Sequence, residues 1–231
     1  MTKVAVVTGS NKGIGFAIVQ GLAKTFDGDL YLTSRNEARG QEAVKKLADE
    51  GTEVFFHQLD IDNEESIKKL ANFLKEKYGG LDILVNNAGI AFNCDATETF
   101  GHQAEVTLRT NYFNTKTVCD HMFPLLRSGA RVVNVSSSCG FLKHVPGDDL
   151  RQKLSKSDSS LTVDELDAMM KDFVESAKAG NHGEKGWPNS TYVVSKVGLS
   201  ALTRIQQREI AIDSSLQDVA INHIHPGYVG K

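Results

Sequence analysis

Val4-Ala5-Val6-Val7-Thr8-Gly9-Ser10-Asn11-Lys12-Gly13-Ile14-Gly15 reads as a strand, a glycine-rich turn and the opening of a helix. Residues 4–8 are apolar nearly throughout rather than alternating, the pattern of a strand covered on both faces, as in a parallel sheet. A turn containing Gly9, Gly13 and Gly15 lets backbone N–H groups approach an anion closely. The N-terminus of the helix that follows favours a pyrophosphate there electrostatically. The spacing is not that of a Walker loop, because no Lys-Ser/Thr follows a G-x4-G. The same turn would also serve a strand–helix junction that needs glycine only for packing, so the rest of the chain has to decide.

Outward from this stretch, further short apolar runs occur at residues 30–34, 54–58, 83–86, 132–136 and 219–224, with helical patterns between them. After Asn63-Glu64-Glu65-Ser66, a cap with an acidic first turn, Ile67, Leu70, Ala71 and Leu74 recur at helical spacing. Strand–helix alternation of this kind predicts an α/β fold, a doubly wound parallel sheet of the Rossmann type. The 231 residues suit a single domain, residues 1–231. The rhythm breaks over residues 141–189, which predict a helical insertion of two helices and no strand. Within it Thr162-Val163-Asp164-Glu165 is a capping box, and Leu166, Met169, Met170, Phe173, Val174 and Ala177 form one apolar stripe stopped by Gly180. The Met pair suits a pocket wall, but core packing is the better reading.

Hydrophobic residues at 40%, charged residues at 24% and a net charge of −3 describe an ordinary globular chain. They argue against nucleic acid or a membrane surface as the main partner. No apolar run approaches the ~20 residues of a membrane span, and Met1-Thr2-Lys3 runs straight into strand pattern without a signal peptide. Cys94, Cys119 and Cys139 are odd in number and lack a C-x-x-C, which fits reduced thiols and a cytoplasmic location.

The ends of the other strands sharpen the expectation of a dinucleotide. The second strand ends in Thr33-Ser34-Arg35, with Arg39 one helical turn on, where a site for an unphosphorylated ribose would carry a carboxylate. Two guanidiniums suit a 2′-phosphate, so NADP(H) is expected, with Lys12 as extra charge. Arg39 also reads as a solvated helix residue. Asp60, before Ile61, either accepts from an adenine amine or caps the next helix. Asn86-Asn87-Ala88-Gly89 places amides and a small residue where a sheet crevice opens.

Tyr192-Val193-Val194-Ser195-Lys196 begins a long helical pattern that puts Tyr192 and Lys196 on one face. An ammonium beside a phenol is expected to lower its pKa from about 10 and make it a usable proton donor to a carbonyl oxygen. The pair alone is also what an exposed helix with a packed tyrosine stem would show. Ser137, at the end of the fifth strand, is the chosen hydroxyl for a developing oxyanion, with Ser136 and Ser138 as structural alternatives. Asn111 is a poor helix former inside a helical stretch, placed there either by an interruption of the helix or as a buried, satisfied amide. The scattered histidines, including the alternating His223 and His225, complete no metal ligand set, and no G-x-S-x-G elbow supports a hydrolase.

The ordered set TGSNKGIG, NNAG, Asn111, Ser137, YVVSK and Pro226-Gly227 resembles the short-chain dehydrogenase/reductases along the whole chain. FHQLDID, KYGGLDILVNNAGIAF, QAEVTLRTN, RVVNVSS and EKGWPNSTY resemble the animal cytosolic NADPH-dependent carbonyl reductases among them. That resemblance implies an oxidoreductase moving hydride from NADPH to aldehydes, ketones or quinones. Tyr192 would donate the proton, Lys196 would lower its pKa and hold the ribose, Ser137 would orient the carbonyl, and Asn111 would keep the site's water and helix geometry. Gly9, Asn11, Lys12, Gly13, Ile14, Gly15, Arg35, Arg39, Asp60, Ile61, Asn87, Pro226, Gly227 and Val229 would line the cofactor. Phe92 to Cys94 and Gln103 match positions that touch glutathione-type substrates in that family, and the insertion implies a monomer. Tyr228 stands where the family has Trp at the substrate mouth. The chain stops at Lys231, about a sixth short of the family, so a last strand is expected to be missing. That leaves an NADP-binding module with impaired turnover, or a steroid or alcohol dehydrogenase of the same family, as alternative expectations.

Overall fold

The computed structural model describes residues 1–93 and 95–227. Six strands form one parallel sheet: β1 (Val4–Val7), β2 (Asp29–Ser34), β3 (Phe55–Gln58), β4 (Leu81–Asn86), β5 (Leu126–Val135) and β6 (Ala220–Ile224). Their order is β3-β2-β1-β4-β5-β6, so the chain reverses direction across the sheet between β1 and β4. In a doubly wound sheet this switch point opens a crevice at the carboxyl ends of the strands.

Both faces are covered where the apolar runs required it. Alternate residues of each strand serve opposite sides. Ala5, Val7, Leu30, Leu32 and Val85 pack against α1 (Gly13–Leu22) and α2 (Glu37–Asp49). Val4, Val6, Tyr31, Leu84 and Val132 pack against α3 (Glu64–Tyr78) and α5 (Asn114–Met122). α4 (Phe100–Leu108), α6 (Asp148–Leu154), α7 (Val163–Ala179) and α8 (Thr191–Ala211) complete the helices. Among the described residues, β6 is an edge strand, and Ile224 is 39% exposed on it.

Two strands start two or more residues before their apolar runs. β4 begins at Leu81, and β5 reaches back to Leu126 through the polar Arg127-Ser128-Gly129. The pairing there is irregular: Leu81 faces Leu126 while Ile83 faces Arg131. Gly129 absorbs the bulge with φ +81°. Arg127 is held by the Asp82 carboxylate at 2.7 Å, so tertiary contacts recruit a segment that lacks strand patterning.

The insertion folds as its capping box predicts. Thr162 Oγ1 accepts from the Glu165 N–H at 3.2 Å, Glu165 accepts back from the Thr162 N–H at 2.9 Å, and Gly180 ends α7 in the left-handed region. Met170 is wholly buried in the core, and Met169, partly buried, packs against it. Its cluster joins Leu166, Phe173 and Trp187 to Leu108 and Tyr112 below, and to Val194, Leu202 and Ile205 of α8. The insertion thus covers the outward faces of α4 and α8.

Candidate active site

The parallel sheet brings the carboxyl ends of all six strands, and every residue singled out there, to one edge. After β1, Gly9 turns with φ +60°, and a Cβ on it would lie 2.9 Å from Ala88, so the turn packs directly against the loop after β4. At Gly15 a Cβ would fall 2.7 Å from Ser10 Cα and 2.8 Å from the Gly9 carbonyl, which is how the first turn of α1 closes on the loop. Asn87 braces the same turn: its Nδ2 donates to the Thr8 and Gly9 carbonyls at 3.0 Å each.

Above this turn the surface is open and cationic. Asn36, Asn63, Thr99, Thr162 and Ser190 cap α2, α3, α4, α7 and α8 with side-chain acceptors, whereas no side chain caps α1 at Lys12. Its first N–H groups are therefore available to an anion. The residues lining a cleft of about 440 Å³ beside it include Asn11, Lys12, Phe16, Arg39 and Lys46, with one carboxylate, Glu42, among them. Arg35 is exposed at the end of β2. None of the ion pairs among the described residues engages Lys12, Arg35 or Arg39. Asp60 accepts from the Asp62 N–H at 3.1 Å, and Asn63, not Asp60, caps α3. Ile14 and Ile61 are partly buried at this rim.

Ser190 caps α8 by accepting from the Val193 N–H, which starts the helix just before Tyr192. Lys196 lies one turn on, 6% exposed, with its Nζ donating to the Val135 carbonyl at 2.8 Å and 5.6 Å from the centre of the Tyr192 ring. Burial pushes this lysine down to about 8. The Tyr192 phenol departs from expectation. Its pKa is raised, because burial outweighs the lowering by the neighbouring Ser137 hydroxyl. The expected lowering by the ammonium is not what governs the resting phenol, since an OH in a low-dielectric site resists ionisation.

The three serines differ in their surroundings. Ser136 is buried and bonded to Ser200 at 2.8 Å, and Ser138 is exposed. Ser137, between them, faces the phenol and caps a short 3₁₀ turn through the Cys139 N–H. Gly140 in that turn escaped the sequence reading: a Cβ there would sit 2.8 Å from the Lys196 carbonyl, so only glycine lets the turn press on α8.

Asn111 sits in a π-helical turn, Arg109–Phe113, where α4 passes into α5, so the interrupted-helix and the satisfied-amide readings both hold. Its Oδ1 accepts from the Ile90 N–H at 2.8 Å, and its Nδ2 donates to the Ile90 carbonyl at 2.8 Å and to Ser195 Oγ at 3.1 Å. Ser195 also escaped the reading, its only signal being its place before Lys196. Phe92 and Gln103 flank the loop after β4, where Gln103 Nε2 donates to the Glu98 carbonyl at 2.9 Å. Pro226 and Gly227 follow β6 at the same edge, exposed, with φ +77° at Gly227. Cys94, Tyr228 and Val229 lie outside the described residues. Among the described residues, no helix is long and apolar enough to cross a membrane.

The family model for short chain dehydrogenase matches residues 3–147. Carbonyl reductase (NADPH) 1 of Rattus norvegicus is 48% identical over 228 residues, covering 98% of this chain and 81% of its own length. Carbonyl reductase (NADPH) 3 of the same species is 49% identical over 230 residues, covering 99% and 82%. The solved structure of salutaridine reductase from Papaver somniferum matches with a TM-score of 0.87 and 33% identity, over 97% of this chain and 86% of that one.

Proposed function

This chain belongs to the short-chain dehydrogenase family, and from that footing we propose that it reduces the carbonyl group of aldehydes, ketones or quinones with NADPH. One observation carries the reading: Tyr192, Lys196 and Ser137 converge at the carboxyl end of β5, at the same sheet edge as an uncapped helix N-terminus beside cations that form no ion pair among the described residues. The names of the rat reductases support the same cofactor and reaction class.

The residues present fit NADP(H). The glycine turn would hold the pyrophosphate against the N-terminus of α1, and Arg35, Arg39 and Lys12 supply guanidinium and ammonium groups for a 2′-phosphate. Asn11, Asp60, Ile61 and Asn87, with Pro226 and Gly227 from the far side, would line the rest. When bound, the reduced nicotinamide supplies the hydride. The protein supplies position and a proton. At neutral pH the half-buried phenol of Tyr192 keeps its proton and gives it to the carbonyl oxygen as negative charge grows there. Ser137 donates to the same oxygen. Lys196 retains its charge below about 8, and its ammonium favours the phenolate only as that forms, so its help falls on the transition state rather than the resting site. Asn111, satisfied at all three of its contacts, keeps the loop after β4 in place.

Phe92 and Gln103 would meet substrate on the loop side, and Ser137 from the sheet side. A cytoplasmic, monomeric enzyme completes the reading: the insertion fills the helix faces of α4 and α8 against which another copy would otherwise pack.

The test is carbonyl-dependent oxidation of NADPH, with menadione as probe, beside NADPH fluorescence enhancement as a measure of binding. We expect turnover, and a loss of at least about 100-fold in Tyr192→Phe with binding retained, the scale of a lost general acid. Binding without oxidation would sink the reductase reading and leave an NADP-binding module. Faster oxidation of a steroid alcohol with NADP than reduction of menadione would make it a dehydrogenase.

A further inference from the structure

Asn111 is tied to the catalytic helix through a hydroxyl that the reaction itself does not call for. Ser195 is wholly buried, and Asn111 is 1% exposed. Ser195 Oγ donates to the Tyr192 carbonyl at 2.8 Å and accepts from Asn111 Nδ2 at 3.1 Å. Asn111 in turn clamps both backbone polar groups of Ile90, each at 2.8 Å. A single chain of hydrogen bonds therefore runs from the loop after β4, across the π-helical turn, to the backbone of Tyr192. Three of its four links are made by Asn111 and use both of its amide protons, leaving that side chain no free donor for a substrate.

A serine within a helix often bonds back to an upstream carbonyl without further purpose. Here the same oxygen is also the acceptor for a buried amide from another element. The helix that carries Asn111 widens to a π turn at that residue, the kind of local irregularity found at functional sites. We propose that Ser195 is a positioning residue for the reduction, fixing the first turn of α8, and with it the Tyr192 phenol, relative to the loop after β4. The proposal rests on the reductase reading above and concerns Tyr192 alone among the proton-handling groups. Without the hydroxyl, one Asn111 N–H has no acceptor in a dry environment, and the three-element register loosens by the small distances to which proton transfer is sensitive.

The experiment uses the full chain with Ser195→Ala and Ser195→Cys, the latter keeping a weak donor and acceptor. NADPH binding is read by fluorescence, menadione reduction by steady-state kinetics from pH 6 to 9, and folding by thermal melting. In Ser195→Ala we expect kcat to fall about tenfold, the loss of one hydrogen bond's worth of transition-state stabilisation. KM for NADPH should stay within about twofold, the pH profile should shift, and Ser195→Cys should recover part of the rate. Wild-type kcat and pH profile in Ser195→Ala overturn the proposal. So does a joint loss of kcat, NADPH affinity and melting temperature with no recovery in Ser195→Cys, which marks a merely structural hydroxyl. If the parent chain oxidises no NADPH with any carbonyl, the reductase reading fails separately. Tyrosine titration by ultraviolet difference, with Tyr192→Phe to assign the signal, then decides: an unchanged Tyr192 midpoint in Ser195→Ala rejects the positioning role.

Discussion

Lys196 holds a charge in a place that does not welcome one. Among the described residues its Nζ has one hydrogen-bond partner, the Val135 carbonyl, and burial brings its pKa down from the usual lysine range to about 8. The unfolded chain keeps that proton up to about 10.5, so between about 8 and 10.5 the unfolded state binds more protons than the folded one. Stability contributed by this group therefore rises with pH through that window and is lowest below it. Lys196→Met should melt a few degrees above the parent at pH 7, with the gap narrowing by pH 9.5; a gap that widens with pH would contradict the assignment. Stability withheld at the residue that carries the charge is the usual bargain of an active site. The Tyr192–Lys196 pairing was readable from spacing and the nearness of Ser137 from its place at a strand end. What spacing did not convey was the direction of the phenol's shift, because desolvation depends on how much protein surrounds the ring, and no short motif records that.

At the scale of elements, helix ends were legible and strand starts were not. Caps are local chemistry, decided within four residues, so Asn63 and the Thr162–Glu165 box appear in the fold as in the sequence. Thr162→Ala removes the box from an exposed helix start. It should lower stability by about 1 kcal/mol and the melting temperature by roughly 2–4 °C, with menadione reduction unchanged. An equal loss of activity would show that α7 sets the site's geometry and does not merely cover α4 and α8. The early start of β5 at Leu126 was hidden because Arg127, Ser128 and Gly129 are placed by Asp82 and by β4, partners distant along the chain. The same reason hid Gly140: its need for a bare α-carbon exists only because α8 passes within contact distance.

For the whole molecule, the insertion is the feature on which the proposed monomer rests. Phe173, Met170 and Trp187 pack in one cluster with residues of α4 and α8. Sedimentation equilibrium at micromolar concentration should give the mass of one chain; a four-chain species would mean that another surface assembles the protein. The sequence by itself determined the layer architecture, the glycine turn, the cationic edge expected for a 2′-phosphate, and the Tyr–Lys pair. These follow from periodicity, from backbone freedom at a few positions and from charge, all of which are local. Only the tertiary structure decided which serine faces the phenol, that Asn111 bonds to Ser195, and that burial governs both Tyr192 and Lys196. Those outcomes depend on which segments are brought into contact across the sheet's edge, and on how completely water is excluded once they meet.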